Sequence, residues 1–401
     1  MTRVSVRRWI AVFGVVVALL AGCRSARDEG PPEPVRPQWQ AVDLPAPPGA
    51  PGRLMVRDAA ACAGRWYVVG AVGGPDGATR PAAWRSVDGL GWVPLPLHPI
   101  SYYGERAILY AVGCHEGRIA VIGARAGGAH GNPRVRTWRQ DADGGLTEVR
   151  AEFELYGGPD AVSVSRIAGG GDGWLIAGAR TGGASVWNSP DAADFQLVDK
   201  APALASEPDL TTLATDALAA SDGWLVGGAG RPAGRADRDP FVWFSEDALV
   251  WTRVALPATD QDEIVQRLLR VGSVVYALGV RGSAFQAWAL ETRAGSASTA
   301  TAGGWRAVGG FGATGTGAVA GVEAVAGAGG DLLAMTVGAR DHQLWQSVDG
   351  GGSWASVALP VDTPAGGDTS ATIAVLDARM VVAVDGGAAA ALWSAPLPTT
   401  R

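Results

Sequence analysis

The chain has 401 residues, of which 47% are hydrophobic and 18% charged, with a formal net charge of −6 and an isoelectric point near 5.3. An acidic chain without a polybasic run argues against nucleic acid and against direct electrostatic attachment to anionic lipid. Glycine is abundant at 58 residues and no stretch keeps a long helical period, so a helical bundle is excluded as well.

The first 23 residues read as a targeting segment and are set aside before the fold is considered. Arg3, Arg7 and Arg8 give a positive start, and residues 9–20 are apolar without interruption. That run is shorter than the ~20 residues a membrane span needs. It ends in Leu20-Ala21-Gly22-Cys23, which resembles the lipobox of bacterial lipoprotein signal peptides. The resemblance implies that Cys23 is lipidated, with acyl chains such as palmitate anchoring an extracytoplasmic protein to the bacterial cell membrane. Residues 24–37, with Pro31, Pro32, Pro34 and Pro37, are expected to stay extended as a disordered linker. Loss of the three signal arginines from −6 leaves the remainder near −9.

From residue 38 to 401 a repeat governs the sequence. Trp84, Trp138, Trp187, Trp243, Trp288, Trp345 and Trp393 follow one another at steps of 54, 49, 56, 45, 57 and 48 residues. A period of roughly 40–50 residues made of short strands predicts an all-β fold, a seven-bladed β-propeller in one monomeric domain. The second strand of each repeat is an apolar run bounded by glycine, as in Arg65-Trp66-Tyr67-Val68-Val69-Gly70 and Val274-Val275-Tyr276-Ala277-Leu278-Gly279. The third strand carries the periodic tryptophan. The fourth reads Trp-x-x-Val-x-Leu-Pro in its clearest copies, at 251–257 and 354–360. The last repeat has no fourth strand after Trp393, and the missing copy stands at the other end as Trp39-Gln40-Ala41-Val42-Asp43-Leu44-Pro45. The N-terminal strand is therefore expected to close the last blade, which removes the unpaired edge.

Between third and fourth strands recurs Ser-x-Asp, at Ser86-Val87-Asp88, Ser189-Pro190-Asp191, Ser245-Glu246-Asp247 and Ser347-Val348-Asp349. The last copy, running on to Trp354, resembles the Asp box of neuraminidase-type and sortilin-like propellers. The resemblance implies a structural role for Asp88, Asp191, Asp247 and Asp349, each capping the N–H groups of its own turn, with glycine supplying positive φ. No Arg-Ile-Pro motif occurs, and no catalytic residue of a sialidase is carried over.

An arginine follows the second strand in several repeats: Arg125, Arg180, Arg281 and Arg340 share one register, and Arg231 lies one residue later. On one face of a propeller such positions form a ring suited to an anionic ligand. Glu105, Asp160, Asp209, Asp262 and Asp368 are expected on the same face and are alternative partners for them. The loops at 231–239 and at 127–136 with His130, together with Tyr102, Tyr103 and Tyr156, are the expected contact surface. Cys62 and Cys114 occupy corresponding places in adjacent repeats, so a disulfide between blades is expected in an oxidising compartment. His98, His115, His130 and His342 are scattered, no metal or cofactor is expected, and no nucleotide or nucleophile-elbow motif is present. The function this favours is a non-catalytic binding or scaffolding module for a protein or glycan partner. The alternative is a glycan hydrolase or lyase, for which Asp260, Asp262 and Glu263 form the only dense acidic cluster.

Overall fold

The computed structural model describes residues 33–127, 131–292, 304–315 and 320–398. Cys23 and the rest of the targeting segment, most of the linker, and His130 lie outside the described residues. Seven sheets, antiparallel but for one strand pair in the second, follow one another along the chain, each with a long first strand: Arg53–Cys62, Ile108–His115, Ala161–Gly170, Leu210–Ala220, Glu263–Val271, Gly321–Ala328 and Ser370–Leu376. Each first strand packs against the first strands of both neighbouring blades, the seventh against the first included, so these strands surround the axis. The hydrophobic interior is correspondingly a ring of seven clusters, one at each interface between blades. All of them are drawn from the compact unit of residues 35–401.

The ring closes through the start of the body. Gln40–Val42 pairs antiparallel with Ala390–Pro396, placing Gln40 opposite Ser394, Ala41 opposite Trp393 and Val42 opposite Leu392. The latch reaches further than one strand. Val35 bridges in parallel to Val357 on the outer edge of blade 6, and the Trp39 indole donates to the Ala358 carbonyl at 2.8 Å. On the other side, the Pro45 carbonyl accepts the Trp84 indole N–H of blade 1 at 2.7 Å. Residues 35–45 thus touch three successive blades, and the body takes in Val35, slightly earlier than the expected boundary.

That last contact is a repeated one. The third-strand tryptophans Trp187, Trp243 and Trp288 donate to the carbonyls of Leu155, Ala203 and Pro257, each on the crossover that enters the same blade. The indole both fills the interface and pins the incoming chain, a role the spacing alone does not show. Blade 2 departs from the pattern, because Leu97–His98 adds a fifth strand parallel to Leu146–Glu148.

Six of the seven first strands carry a β-bulge, leaving Arg57, Tyr110, Ser165, Thr215, Gln266 and Glu323 as the extra residue. The bulge explains the glycine that bounds the second strand. A Cβ at Gly70, Gly178, Gly228 or Gly279 would overlap the carbonyl oxygen of Met55, Ser163, Leu213 or Ile264, which the bulge pushes across the sheet. A bulge also redirects side chains. Here several of them are turned onto the next blade: Tyr110 donates to Val164 O at 2.6 Å, Thr215 to Val265 O at 2.7 Å, and the Gln266 side-chain oxygen accepts Val322 N–H at 2.8 Å.

The Ser-x-Asp turns close the opposite face. Asp88 accepts the N–H groups of Leu90 and Gly91, Asp191 those of Ala193 and Asp194, Asp247 those of Leu249 and Val250, and Asp349 that of Ser353. Positive φ falls on glycine in two turns, Gly89 at 73° and Gly350 at 72°, but on alanine in the others, Ala192 at 62° and Ala248 at 61°. Both alanines are buried against the blade, so the methyl contact offsets part of the backbone cost.

Candidate functional site

Two places bear on the expected site: the axis, and the face where the blade crossovers and the second-to-third loops emerge. The axis is already occupied. Arg166, on the first strand of blade 3, reaches Asp58 of blade 1 at 2.8 Å and the Glu323 carbonyl of blade 6 at 2.9 Å. Arg267 of blade 5 donates to the same carbonyl at 2.8 Å. Asp216 accepts the Leu268 N–H at 2.8 Å, as Asp58 accepts the equivalent Val112 N–H at 2.9 Å. Glu323 in turn faces His342 at 3.1 Å.

The electrostatics of this plug are those of charges taken out of water. Burial, reinforced by Arg166, pulls the Arg267 guanidinium down to about 10. Burial pushes the Asp216 carboxyl up, against the pull of Arg267 and of the Leu268 N–H. For Arg166 burial opposes the charge, but Asp58, Asp216 and Glu323 together outweigh it and hold the group above its ordinary value. His342 is likewise raised: against the cost of burial, Glu323 and the Thr363 carbonyl favour the imidazolium. Three acids, Asp58, Asp216 and Glu323, thus stand with Arg166, Arg267 and His342 in this plug.

The five predicted arginines are not brought together. Arg125 meets Gly77 O at 3.3 Å and Thr79 Oγ1 at 3.4 Å, beside a cavity of about 600 Å³ between blades 1 and 2. Arg180 is 8% exposed, bonded to Gly157 O and 3.6 Å from Asp199. Arg281 is clamped by Glu263 at 2.6 Å, Gln286 and Pro257 O, over the ring of Trp288. Arg231 and Arg340 are exposed, Arg231 beside a small cavity with Arg238 and Asp262. No two of them share a partner among the described residues. One reason is local: the second strands run on to Gly127, Arg180, Pro232 and Arg281, so four of the five arginines belong to the sheet and not to loops.

Four of the five acids expected beside them are also committed elsewhere. Asp368 takes Arg53 and Arg57, which also grip the fully buried Asp385 and so clasp blade 1 to blade 7. Asp262 takes Arg238 at 2.6 Å, Glu105 takes Arg106, and Asp160 accepts the Thr181 hydroxyl. In the acidic cluster, Glu263 is fully buried against Arg281 and Thr259, while Asp260 is exposed. A general acid and a free carboxylate facing a common substrate, as glycoside hydrolysis requires, do not arise from that arrangement.

Cys62 and Cys114 form a disulfide with their Cα atoms 5.6 Å apart, joining blades 1 and 2. On the crossover face between blades 2 and 3, Tyr156 packs on Trp187 and Phe195, and burial pushes its hydroxyl up. Tyr102 and Tyr103 meet edge to face at 5.3 Å, and Arg106 lies 3.9 Å over the Tyr102 ring.

No protein-family model matches this chain, and no curated protein matches it. Solved structures do. The Cps50 (Swd1) β-propeller domain of Myceliophteria thermophila is 12% identical with a TM-score of 0.50, over 88% of this chain and 98% of that one. A puromycin-hydrolyzing peptidase of Mycobacterium tuberculosis is 12% identical with a TM-score of 0.52, over 87% of this chain and 52% of that one. The likeness is one of fold. This chain spans about half the length of the peptidase. The Hadza microbial sialidase Hz136 also matches, at 15% identity and a TM-score of 0.44, over 85% of this chain and 66% of that one.

Proposed function

We propose that the protein is a lipid-anchored, extracytoplasmic propeller that binds a protein or glycan partner on its crossover face without catalysis. The observation that carries this reading is the axial plug. Arg166 bridges blades 3, 1 and 6, so charged groups of the first strands are engaged with one another across the axis. Fold alone does not distinguish binding from catalysis. The commitment of Asp262 and Glu263 to arginines weighs against the hydrolase or lyase reading. The anchoring rests on Arg3, Arg7, Arg8, the apolar run and Cys23, and the Ser-x-Asp turns support kinship with Asp-box propellers.

The test is a glycan array and a pull-down with the lipid-free body, comparing the parent with Arg125→Ala, Arg180→Ala and Arg340→Ala. Capture of a defined partner, without its chemical alteration, is the expected result. Glycan cleavage by the purified body would overturn the reading. Unchanged capture by all three variants would remove those arginines from the binding surface. Metabolic palmitate labelling of the full chain and of Cys23→Ser tests the anchor separately, with label expected only on the former.

A further inference from the structure

Between blades 2 and 3 the crossover face opens into a cavity of about 400 Å³, within the range of small-ligand sites. Its walls include Tyr110, Phe153, Tyr156, Val162 and Val164, with Arg134 at the lip. Two of these apolar side chains are left in water, Phe153 at 49% and Val162 at 64% exposure. Leaving such surface exposed forgoes ~25 cal/mol per Å² that a ligand could recover.

The polar groups here are mostly spoken for. The Tyr110 hydroxyl donates to Val164 O, and the neighbouring arginines Arg106 and Arg136 pair with Glu105 at 3.0 Å and Glu148 at 3.2 Å. Arg134 is different. Its guanidinium lies 4.4 Å from the centre of the Phe153 ring and 5.9 Å from that of Tyr103, and no carboxylate pairs with it among the described residues. A guanidinium over an aromatic face can still offer N–H groups to a two-oxygen anion.

We propose that this cavity binds a small aromatic anion, its ring among the apolar walls and its carboxylate or sulfonate against Arg134. The proposal deepens the binding-module reading and rests on it. Naphthalene-2-sulfonate is the probe, titrated by calorimetry into the lipid-free body beside naphthalene-2-methanol and inorganic sulfate. The sulfonate is expected to bind one to one and at least about tenfold more tightly than the alcohol, with sulfate alone giving no heat. Arg134→Gln should reduce the sulfonate to the affinity of the alcohol. Val162→Trp, which fills the cavity from its exposed side, should abolish both, with the melting temperature of each variant confirming the fold. Absence of sulfonate binding, or binding indifferent to both variants, would overturn the proposal. A body that captures a protein or glycan partner yet ignores the sulfonate would sink the cavity assignment and leave the module standing. A body that binds the sulfonate as expected but cleaves glycans would do the reverse.

Discussion

Replacing Arg166 by methionine tests whether the axis is held by charge. The change keeps the volume and deletes the bonds to Asp58 and to the Glu323 carbonyl. Removing one partner of a buried ion pair costs about 3–5 kcal/mol, because the other charge stays buried. Two features lower that here. Asp58 keeps the Val112 N–H at 2.9 Å, and Arg267 is relieved of the repulsion that pulls it down to about 10. A net loss of about 3 kcal/mol is therefore expected. At ~2.1 cal/mol/K of unfolding entropy per residue, that lowers the midpoint of a body this size by about 4 °C. The assay is thermal unfolding of the parent, Arg166→Met, Asp58→Asn and the double variant. The two single changes should couple by at least about 1.5 kcal/mol. A methionine variant that melts with the parent, or strict additivity in the double, would refute an axis cemented by ions.

Other consequences follow from the same structure. Loss of the Cys62–Cys114 bridge, which closes a separation of 52 residues, should cost about 4 kcal/mol, read as a lower urea midpoint for the double alanine variant. His342 has its folded value raised, so its ion pair contributes fully below the ordinary histidine range near 6.5 and is lost as pH rises through the raised value. The melting difference between parent and His342→Gln should therefore shrink from pH 5 towards pH 9, and a widening gap would refute the pairing with Glu323. Asp349 is held at about 2 by the Ser353 hydroxyl and N–H, and works the other way. Its contribution is present above the ordinary aspartate range and is lost as pH falls to about 2, so Asp349→Ala should melt below the parent at pH 6 and converge on it near pH 2.

The parts of this fold that were legible in the sequence are those in which one residue type repeats. Tryptophan on every third strand marked seven blades, and a fourth strand missing after Trp393 but present at Trp39 showed where the ring closes. Cys62 and Cys114 could be paired because they recur at one register in adjacent blades. The plug was hidden because its positions do not repeat in kind. Asp58, Arg166, Asp216, Arg267 and Glu323 stand at or beside the bulge of their strands, and a bulge leaves no mark in the sequence beyond the glycine opposite it. The arginine register misled for a related reason. Arg125, Arg180, Arg281 and Arg340 share a register, but in the first three the strand runs past the glycine, and what each arginine meets depends on its own neighbours. Arg134 lies in the loop at 127–136 expected as contact surface, but nothing singled it out there, since its distinction is that no carboxylate pairs with it among the described residues.

Everything described on either face depends on a ring that stays shut, and the shutting is done by residues 35–45. Hydrogen exchange on the intact chain measures this directly. The account predicts that the amides of Gln40–Val42 which bond to Ala390–Pro396 exchange as slowly as those of Arg379–Asp385, the neighbouring strand of the same blade. Exchange there at the rate of a free segment, while the other blades stay protected, would contradict it.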